Sequence, residues 1–170
     1  MDLKQAIRDF PDFPRPGITF RDITPILQDP AYFNKAISQM EELLKGVEYD
    51  IIISPESRGF IFGTPIAARQ NKGFVPARKK GKLPGQATSK TYFLEYGMDT
   101  IELHTDSIKP GTKAIIVDDL LATGGTAKGV CDIVQELGGE VVRAVFLIEL
   151  EAIGGRENLD CCEVKAVLKY

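Results

Sequence analysis

The sequence of 170 residues lacks the features that would place it in a membrane or on a nucleic acid. No stretch approaches the ~20 consecutive apolar residues that a membrane-spanning helix needs. The opening residues, MDLKQAIRDF, include acidic side chains and no apolar core segment, so we expect no signal peptide. A net charge of −3 gives no reason to expect a nucleic-acid-binding surface. We therefore expect a cytoplasmic protein with neither a membrane nor a nucleic acid as its partner.

Side chains that commonly hold metals are also scarce. His104 is the single histidine, and the three cysteines are Cys131, Cys161 and Cys162. None of them shows the spacing of a zinc motif. Cys161 and Cys162 are neighbours on a predicted strand, so their side chains should point to opposite faces. We expect reduced thiols and no protein-bound zinc.

Two common phosphate-binding motifs are missing as well. The chain contains no G-x-x-x-x-G-K-[ST] sequence, which excludes a Walker A loop, and no GxG, which excludes the Rossmann fingerprint. It does contain AIIVDDLLATGGTAKG at residues 114–129. In this segment an apolar run ends in Asp118 and Asp119, and a loop of small residues leads into an amphipathic helix.

This strand–loop–helix unit has the chemistry of an anion site. Free N–H groups and the positive end of the helix dipole favour a phosphate, while glycines allow close approach and Thr hydroxyls add donors. The two carboxylates would repel a phosphate, so ribose hydroxyls or a hydrated cation are their natural partners. A ligand that carries a phosphate, a sugar and a metal would suit both the loop and the two carboxylates. The alternative is an ordinary turn whose acidic residues and Thr cap the helix.

Alternating patterns along the chain predict an α/β protein. Apolar runs predict strands, and periodic apolar positions predict helices: strands at 49–54, 73–77, 114–119 and 140–149, helices at 31–45, 59–70 and 126–137. Such alternation is typical of a central parallel sheet flanked by helices. The length indicates one domain over residues 1–170. The proline- and aromatic-rich residues 10–23 predict an irregular, well-packed segment, and residues 78–110 predict a flexible excursion with a possible hairpin.

Other candidate groups follow the remaining strands, where open α/β sheets bind ligands. Arg58 stands before a predicted helix and could bind an anion, although a solvated surface arginine is an equal alternative. A basic run follows at residues 78–82, which is either a solvated charged segment or a contact for a polyphosphate. Glu95, beside Tyr96, has no significance by itself, and Phe20 is typical of plain core packing.

The motifs resemble those of a known family. VDDLLATGGT is similar to the phosphoribosyl-pyrophosphate (PRPP) loop of type I phosphoribosyltransferases. FPRPGITFRDITPIL, ESRGFIFG, KKGKLPG and LEYG follow one another as in adenine phosphoribosyltransferases. The resemblance implies the type I phosphoribosyltransferase fold, with a small N-terminal hood mainly from residues 1–25 and a flexible catalytic loop over about residues 78–110. It also implies transfer of the 5-phosphoribosyl group from PRPP to adenine, which yields AMP and pyrophosphate.

The resemblance also implies roles for the catalytic and pyrophosphate-binding residues. Glu95 would be the acid/base group that faces N7 of the purine, and Tyr96 would position the transferring groups. Arg58 would be catalytic through its contact with pyrophosphate. The basic segment would bind the same group through Arg78, Lys79 and Lys82, with Arg78 acting across the interface of a homodimer.

Further roles concern the sugar, the metal and the base. Asp118 and Asp119 would hold the ribose hydroxyls and support Mg²⁺, which substrate oxygens and water would bind without a direct protein ligand. The 5′-phosphate would lie on the loop, formed by Ala122, Thr123, Gly124, Gly125 and Thr126. For adenine, Phe20 would stack on the ring, Arg21 would reach a ring nitrogen and Leu120 would pack on the opposite face. The backbone of Ile18 and Thr19 would pair with the amino edge.

Two alternatives remain open from the sequence. The same chemistry could act on another purine base, because adenine differs from 6-oxopurines in offering an amino group where they offer a carbonyl. A non-catalytic PRPP-binding regulator is the second alternative. Such a protein would ordinarily add a nucleic-acid-binding domain, for which the chain has no room.

Overall fold

The computed structural model describes residues 2–94 and 97–170. The strands within these residues are β1 (Arg8–Phe10), β2 (Phe20–Asp22), β3 (Ile51–Pro55), β4 (Gly73–Lys79), β5 (Ala87–Leu94), β6 (Gly97–His104), β7 (Lys113–Leu121), β8 (Glu140–Glu149) and β9 (Glu163–Lys169). The α-helices are α1 (Thr24–Gln28), α2 (Pro30–Glu42), α3 (Arg58–Arg69) and α4 (Gly125–Glu136). Short 3-10 turns cover Leu3–Ala6, Thr105–Ser107, Glu151–Ile153 and Gly155–Asn158.

The central sheet of the described chain has seven strands, in the order β5-β6-β4-β3-β7-β8-β9. Strands β4, β3, β7, β8 and β9 run parallel, whereas β6 is antiparallel to both β4 and β5. The predicted α/β fold with a central parallel sheet is therefore confirmed.

Both faces of the sheet are buried, as the apolar runs predict. Along β7, Ile115 and Val117 pack into the cluster that contains residues of α2 and α3. Ala114 and Ile116 point the other way, into the cluster that contains residues of α4. Because successive side chains of a strand alternate between faces, this continuous apolar run fills both cores and leaves its polar residues for the carboxyl end.

Helix α3 lies very close to the sheet because two glycines, four residues apart, face it. A Cβ atom added at Gly63 would lie 2.0 Å from Oγ of Ser54, and one at Gly59 would lie 2.8 Å from Oδ1 of Asp118. No side chain fits at either distance. The first turn of α3, which begins at Arg58, is thereby held against the end of β7.

The N-terminal hood is a two-stranded antiparallel hairpin, in which Phe10 of β1 lies opposite Phe20 of β2. The irregular segment predicted at residues 10–23 is thus the turn of this hairpin together with its flanking strand ends. The aromatic residues are less well packed than the sequence predicts, since Phe10 and Phe13 are both exposed. An ion pair between Arg8 and Asp22 joins the two strands.

Residues 78–110 contain the predicted hairpin. Strands β5 and β6 pair from Ala87 opposite His104 to Leu94 opposite Gly97. Tyr92 of β5 is buried, and the hairpin packs against α4. Glu95 and Tyr96 lie outside the described residues, so the structure adds nothing to their predicted roles.

The main elements lie close to their predicted positions, with shifts at their ends. Strand β7 continues through Leu121 instead of stopping at Asp119, because Leu120 and Leu121 still pair with β8. Helix α2 starts at Pro30, where Asp29 caps it by accepting a hydrogen bond from the Ala31 N–H at 2.8 Å. In the described chain, every helix is too short or too polar to traverse a lipid bilayer.

Candidate active site

Two adjoining cavities lie at the carboxyl ends of the central strands. The main cavity, of about 440 Å³, is lined by residues 55–58, Lys79, residues 118–120 and Thr126. The loop cavity, of about 130 Å³, is enclosed by residues 120–127 together with Leu94, Asp118 and Phe146. Asp118, Leu120 and Thr126 line both cavities, so a ligand with a phosphate at one end could occupy the two together.

The loop of small residues curls around the loop cavity, and α4 begins at Gly125. Gly124 has a φ of +80°, the left-handed conformation that glycine adopts without strain. A Cβ atom added to Gly124 would lie 2.5 Å from the carbonyl oxygen of Gly155. One added to Gly125 would lie 2.7 Å from the carbonyl oxygen of Phe93. These glycines are therefore required by packing between protein segments, a reason that the sequence motif alone does not reveal.

The segment after β8 supports this loop from outside. The Asn158 side-chain amide donates a hydrogen bond to the Thr123 carbonyl oxygen at 2.8 Å. Inside the loop, the Gly125 N–H donates to Oγ1 of Thr123 at 3.4 Å. Sequence reasoning missed both Gly155 and Asn158, because they lie more than thirty residues further along the chain.

The two neighbouring carboxylates have different surroundings. Oδ2 of Asp119 lies 2.8 Å from Nε of Arg58, and Asp119 is only 6% exposed. Oδ1 of Asp118 accepts a hydrogen bond from the Asp119 N–H at 2.8 Å. Burial raises the pKa of the Asp118 carboxyl well above its ordinary value, and the like charge of Asp119 raises it further.

Arg58 joins the hood to the acidic pair. Its guanidinium carbon lies 5.8 Å from the centroid of the Phe20 ring while its Nε binds Asp119. The Phe20 ring in turn contacts Phe13 edge-on at 5.4 Å between centroids. Arg58 thus contacts both Phe20 and Asp119. The sequence predicts that Arg58 and the carboxylates lie at the same edge of the sheet, whereas the place of Phe20 follows only from the resemblance.

The basic segment is only partly directed at the main cavity. Lys79 lines it, and its ammonium group binds the Asp99 carboxylate and donates to the Tyr92 hydroxyl at 3.4 Å. Burial alone would lower the pKa of Lys79, but the hydrogen bond with Asp99 outweighs burial and raises it. Arg78 pairs with Glu56, 3.0 Å from Nε to Oε1, and Lys82 is exposed outside the cavity wall.

Glu56 is a wall residue to which sequence reasoning gave no role. It accepts a backbone hydrogen bond from Lys79 at 2.5 Å and a side-chain hydrogen bond from Arg78. Burial would raise the pKa of this carboxyl, but these two bonds outweigh burial and lower it. Glu56 therefore holds the start of the basic segment beside the loop that carries Arg58.

The remaining candidates for base recognition lie in the hood or beside it. The Arg21 side chain is bound to Asp9, and its guanidinium carbon lies 4.2 Å from the centroid of the Tyr170 ring. Both backbone groups of Ile18 form local hydrogen bonds. Its N–H donates to the Arg15 carbonyl oxygen, and its carbonyl oxygen accepts from the Phe13 N–H. Thr19 is exposed.

An ion pair with a buried carboxylate and a partly exposed arginine lies behind the loop, and sequence reasoning missed it too. Glu149, at the end of β8, is only 3% exposed, and Nε of Arg156 lies 2.8 Å from its Oε1. The hydrogen bond with Arg156 lowers the pKa of the Glu149 carboxyl. The Leu150 N–H also donates to the Leu121 carbonyl at 3.0 Å, so this segment is fastened to the end of β7.

The cysteines require a correction. Cys161 and Cys162 lie in a turn before β9 and not on a strand, so they do not point to opposite faces. Their Sγ atoms and that of Cys131, on α4, all lie within 4.8 Å of one another. The expectation of no protein-bound zinc rested on spacing in the sequence, and the fold brings together three thiols that this spacing does not reveal.

Comparison with known proteins agrees with this geometry. The model of the phosphoribosyl transferase domain matches residues 23–166. The chain therefore belongs to the phosphoribosyltransferase family.

Its similarity to individual members is more specific. The adenine phosphoribosyltransferase of Lachnoclostridium phytofermentans is 54% identical over 168 residues, which are 99% of this chain and 97% of that protein. The crystal structure of the enzyme from Thermoanaerobacter pseudethanolicus superposes with a TM-score of 0.96 at 47% identity, covering 99% of this chain and 98% of that one. The Saccharomyces cerevisiae enzyme, solved with an imino-altritol bisphosphate and adenine, gives 0.91 at 40% identity, with 97% and 96% covered. These relatives place the chain in the adenine phosphoribosyltransferase branch of the family.

Proposed function

We propose that this enzyme transfers the 5-phosphoribosyl group from PRPP to adenine, producing AMP and pyrophosphate. The observation that carries the proposal is the junction of the loop cavity with the main cavity at Asp118 and Thr126. A phosphate-sized site beside two carboxylates and an arginine matches the parts of PRPP. The ligands of the Saccharomyces cerevisiae structure, an imino-altritol bisphosphate and adenine, support the same pair of substrates.

The 5′-phosphate would bind in the loop cavity. The N-terminus of α4 provides free N–H groups and the positive end of its dipole, and Thr123 and Thr126 add hydroxyls. The main-chain amides of Ala122, Gly124 and Gly125 complete the proposed loop contacts. The ribose hydroxyls would then extend towards Asp118 and Asp119 in the main cavity.

Pyrophosphate would bind on the opposite wall of the main cavity, between Arg58 and Lys79. In the free protein the Lys79 ammonium group is paired with the Asp99 carboxylate. Binding of pyrophosphate would therefore replace this carboxylate with a phosphate oxygen as the partner of Lys79. Arg78 and Lys82 belong to the same proposed site. Arg78 would have to leave Glu56 to contact pyrophosphate directly, in this subunit or across a dimer.

The donor set at the main cavity fits Mg²⁺. The carboxylates of Asp118 and Asp119 are hard oxygen ligands, and Asp119 is already paired with Arg58, so no closed protein cage is present among the described residues. We propose that the two residues support a cation bound mainly by substrate oxygens and water. When bound, Mg²⁺ neutralises charge on the departing pyrophosphate.

Adenine would lie between Phe20 and Leu120, with the hood backbone around Ile18 and Thr19 along its amino edge. Because Arg21 is held by Asp9 and Tyr170, we propose that its side chain braces the hood and reaches a ring nitrogen only after rearrangement. The transition state places positive charge on the ribose ring, as in glycoside chemistry. Glu95 would manage the proton at purine N7, and Tyr96 would position the transferring groups.

We further propose that residues 1–170 act as one domain within a cytoplasmic homodimer. The large exposed apolar side chains of Phe93 and Met98, on neighbouring strands of the hairpin, are consistent with a protein contact. The three cysteines are free thiols, which suits a reducing compartment.

A steady-state assay with PRPP, Mg²⁺ and a panel of purine bases tests the proposal. We expect AMP and pyrophosphate from adenine, and little turnover of hypoxanthine or guanine. Preferential use of a 6-oxopurine would show that the base is wrong. PRPP binding without turnover of any base would indicate a regulator.

A further inference from the structure

We propose that Cys131, Cys161 and Cys162, the thiol cluster, bind one thiophilic cation such as Zn²⁺. In the described part of the chain, the cavity beside this cluster shares no lining residue with the main cavity or the loop cavity. The cluster is therefore a second site, and its occupation does not depend on the proposed reaction.

The geometry of the thiol cluster is close to that of a metal site. The three Sγ atoms lie within 4.8 Å of one another. A zinc–sulfur distance of about 2.3 Å in tetrahedral geometry places sulfur atoms about 3.8 Å apart. An inward shift of about 1 Å or less at each sulfur would therefore complete a three-thiolate set. Side chains in a turn, as at Cys161 and Cys162, can make such a shift without moving the sheet.

The chemistry of the donors selects the kind of cation. Thiolate sulfur is a soft ligand that prefers zinc, copper(I) and similar ions to Mg²⁺ or Ca²⁺. The thiol cluster opens to a cavity of about 350 Å³, lined by Cys131 and Cys161 among others. This cavity gives a path of entry and leaves room for water as the fourth ligand.

The charges around the cluster do not oppose a cation. Lys128 is the nearby positive charge, and its Nζ lies 3.1 Å from Asp132 and 3.5 Å from Asp160. Glu140 lines the same cavity. Two carboxylates therefore pair with this ammonium group and a third lines the cavity, so these four groups carry a net negative charge before any thiol ionises.

Binding would connect the helix that follows the loop of residues 122–126 with the segment that supports this loop from outside. Cys131 lies on α4, whose first residue is Gly125, and Cys161 follows the turn that carries Gly155 and Asn158. A cation held by both segments would bind the folded state more tightly than the unfolded chain, in which Cys131 is not held beside the other two thiols. It should therefore raise the unfolding temperature in a concentration-dependent way.

The test uses the full chain, stripped with a chelator and kept reduced with a phosphine. Titration with Co²⁺ should produce thiolate-to-metal charge-transfer absorption that saturates at one equivalent, and Zn²⁺ should displace the signal. Zn²⁺ alone should raise the unfolding temperature. The double variant Cys161→Ser plus Cys162→Ser should lose the absorption and the thermal shift, while its circular dichroism and transferase activity stay near those of the unmodified chain.

Two further variants make the result specific. Cys131→Ala should also abolish the charge-transfer absorption, and Gln135→Ala, an exposed position that lines the same cavity, should retain it. Equal Co²⁺ absorption in the unmodified chain and the double cysteine variant would overturn the proposal. So would a reduced, folded chain that takes up no equivalent of Co²⁺ or Zn²⁺.

Discussion

At the scale of single residues, Asp118 and Asp119 show how two adjacent carboxylates can differ. Asp119 forms an ion pair with Arg58, whose Nε lies 2.8 Å from its Oδ2. Asp118 is partly buried beside the Asp119 carboxylate, and both the burial and the like charge raise the pKa of its carboxyl. A ligand hydroxyl or a hydrated cation placed here would stabilise the charged form of Asp118 and would offset this cost.

Substitution of these two residues by Asn should therefore have opposite effects on stability. A raised carboxyl pKa means that the folded state binds the proton more tightly than the unfolded chain, so stability falls as pH rises through that pKa. Asp118→Asn removes this loss and should be more stable than the unmodified protein at neutral pH. Asp119→Asn breaks a pair whose arginine is about half exposed and should cost about 0.5–1 kcal/mol.

Thermal unfolding from pH 4 to pH 8 measures both effects. The advantage of Asp118→Asn should grow as pH rises, and kcat/KM should fall severely in both variants. Equal destabilisation of the two variants at neutral pH would show that the charged Asp118 carboxylate does not lower the stability of the free protein.

Glu95 is predicted to act in the chemical step. Glu95→Gln keeps the shape of the side chain but cannot exchange a proton in the same way. We expect the single-turnover rate to fall by about 10²–10⁴-fold with PRPP affinity nearly unchanged. Glu102→Gln, in the same hairpin and outside both cavity walls, is the control. A rate near that of the unmodified enzyme would exclude Glu95 as the acid/base group.

At the scale of elements, the loop of residues 122–126 lies where three segments pack closely without side chains between their backbones. Gly125 of α4 contacts the backbone of β5, and Gly124 contacts the Gly155 carbonyl. A bulky residue at either glycine would separate these segments and disturb the fold. Loss of binding in such a variant would therefore not distinguish phosphate contact from misfolding.

The hydroxyl of Thr126 offers a cleaner test of the phosphate site. Thr126 lines both cavities, and valine keeps its size while removing the donor. Loss of one hydrogen bond to a charged group should weaken PRPP and AMP binding by about 10–100-fold each, or about 1.5–3 kcal/mol. Calorimetric titration of both ligands measures this, with Thr64→Val, at an exposed position of α3, as the control. Unchanged affinity for AMP would place the 5′-phosphate elsewhere.

At the scale of the whole molecule, the pair of Glu149 and Arg156 fastens the end of the sheet to the segment behind the loop. Glu149→Gln would leave Arg156 without its anion and should destabilise the protein by about 1–3 kcal/mol, less than a fully buried pair because Arg156 is 40% exposed. Because the pKa of Glu149 is lowered, its contribution is present above the ordinary carboxyl pKa and lost as pH falls through the lowered value.

Urea unfolding at neutral and acid pH tests this prediction. The difference between Glu149→Gln and the unmodified chain should be full near pH 7 and shrink towards pH 3. Glu163→Gln, an exposed partner of Arg143 on the neighbouring strand, should have a much smaller effect. A difference that does not change with pH would show that the loss arises from packing and not from the ion pair.

The sequence by itself determined the parallel sheet, its main helices and the loop of small residues at 122–126. These features depend on short-range patterns: apolar runs form buried strands, three- and four-residue spacing forms helices, and a loop of small residues at a strand end admits an anion. Arg58 and the acidic pair could also be placed at one edge, because the carboxyl ends of parallel strands meet there.

Only the tertiary structure decided which side chains face one another across the chain. In the folded protein Lys79 lines the main cavity, Arg78 forms an ion pair with Glu56, and the Arg21 guanidinium lies over the Tyr170 ring. It also brings Cys131 to a turn thirty residues away and pairs Glu149 with Arg156. Such contacts depend on how helices and turns pack on the sheet, and no local spacing in the sequence records that packing.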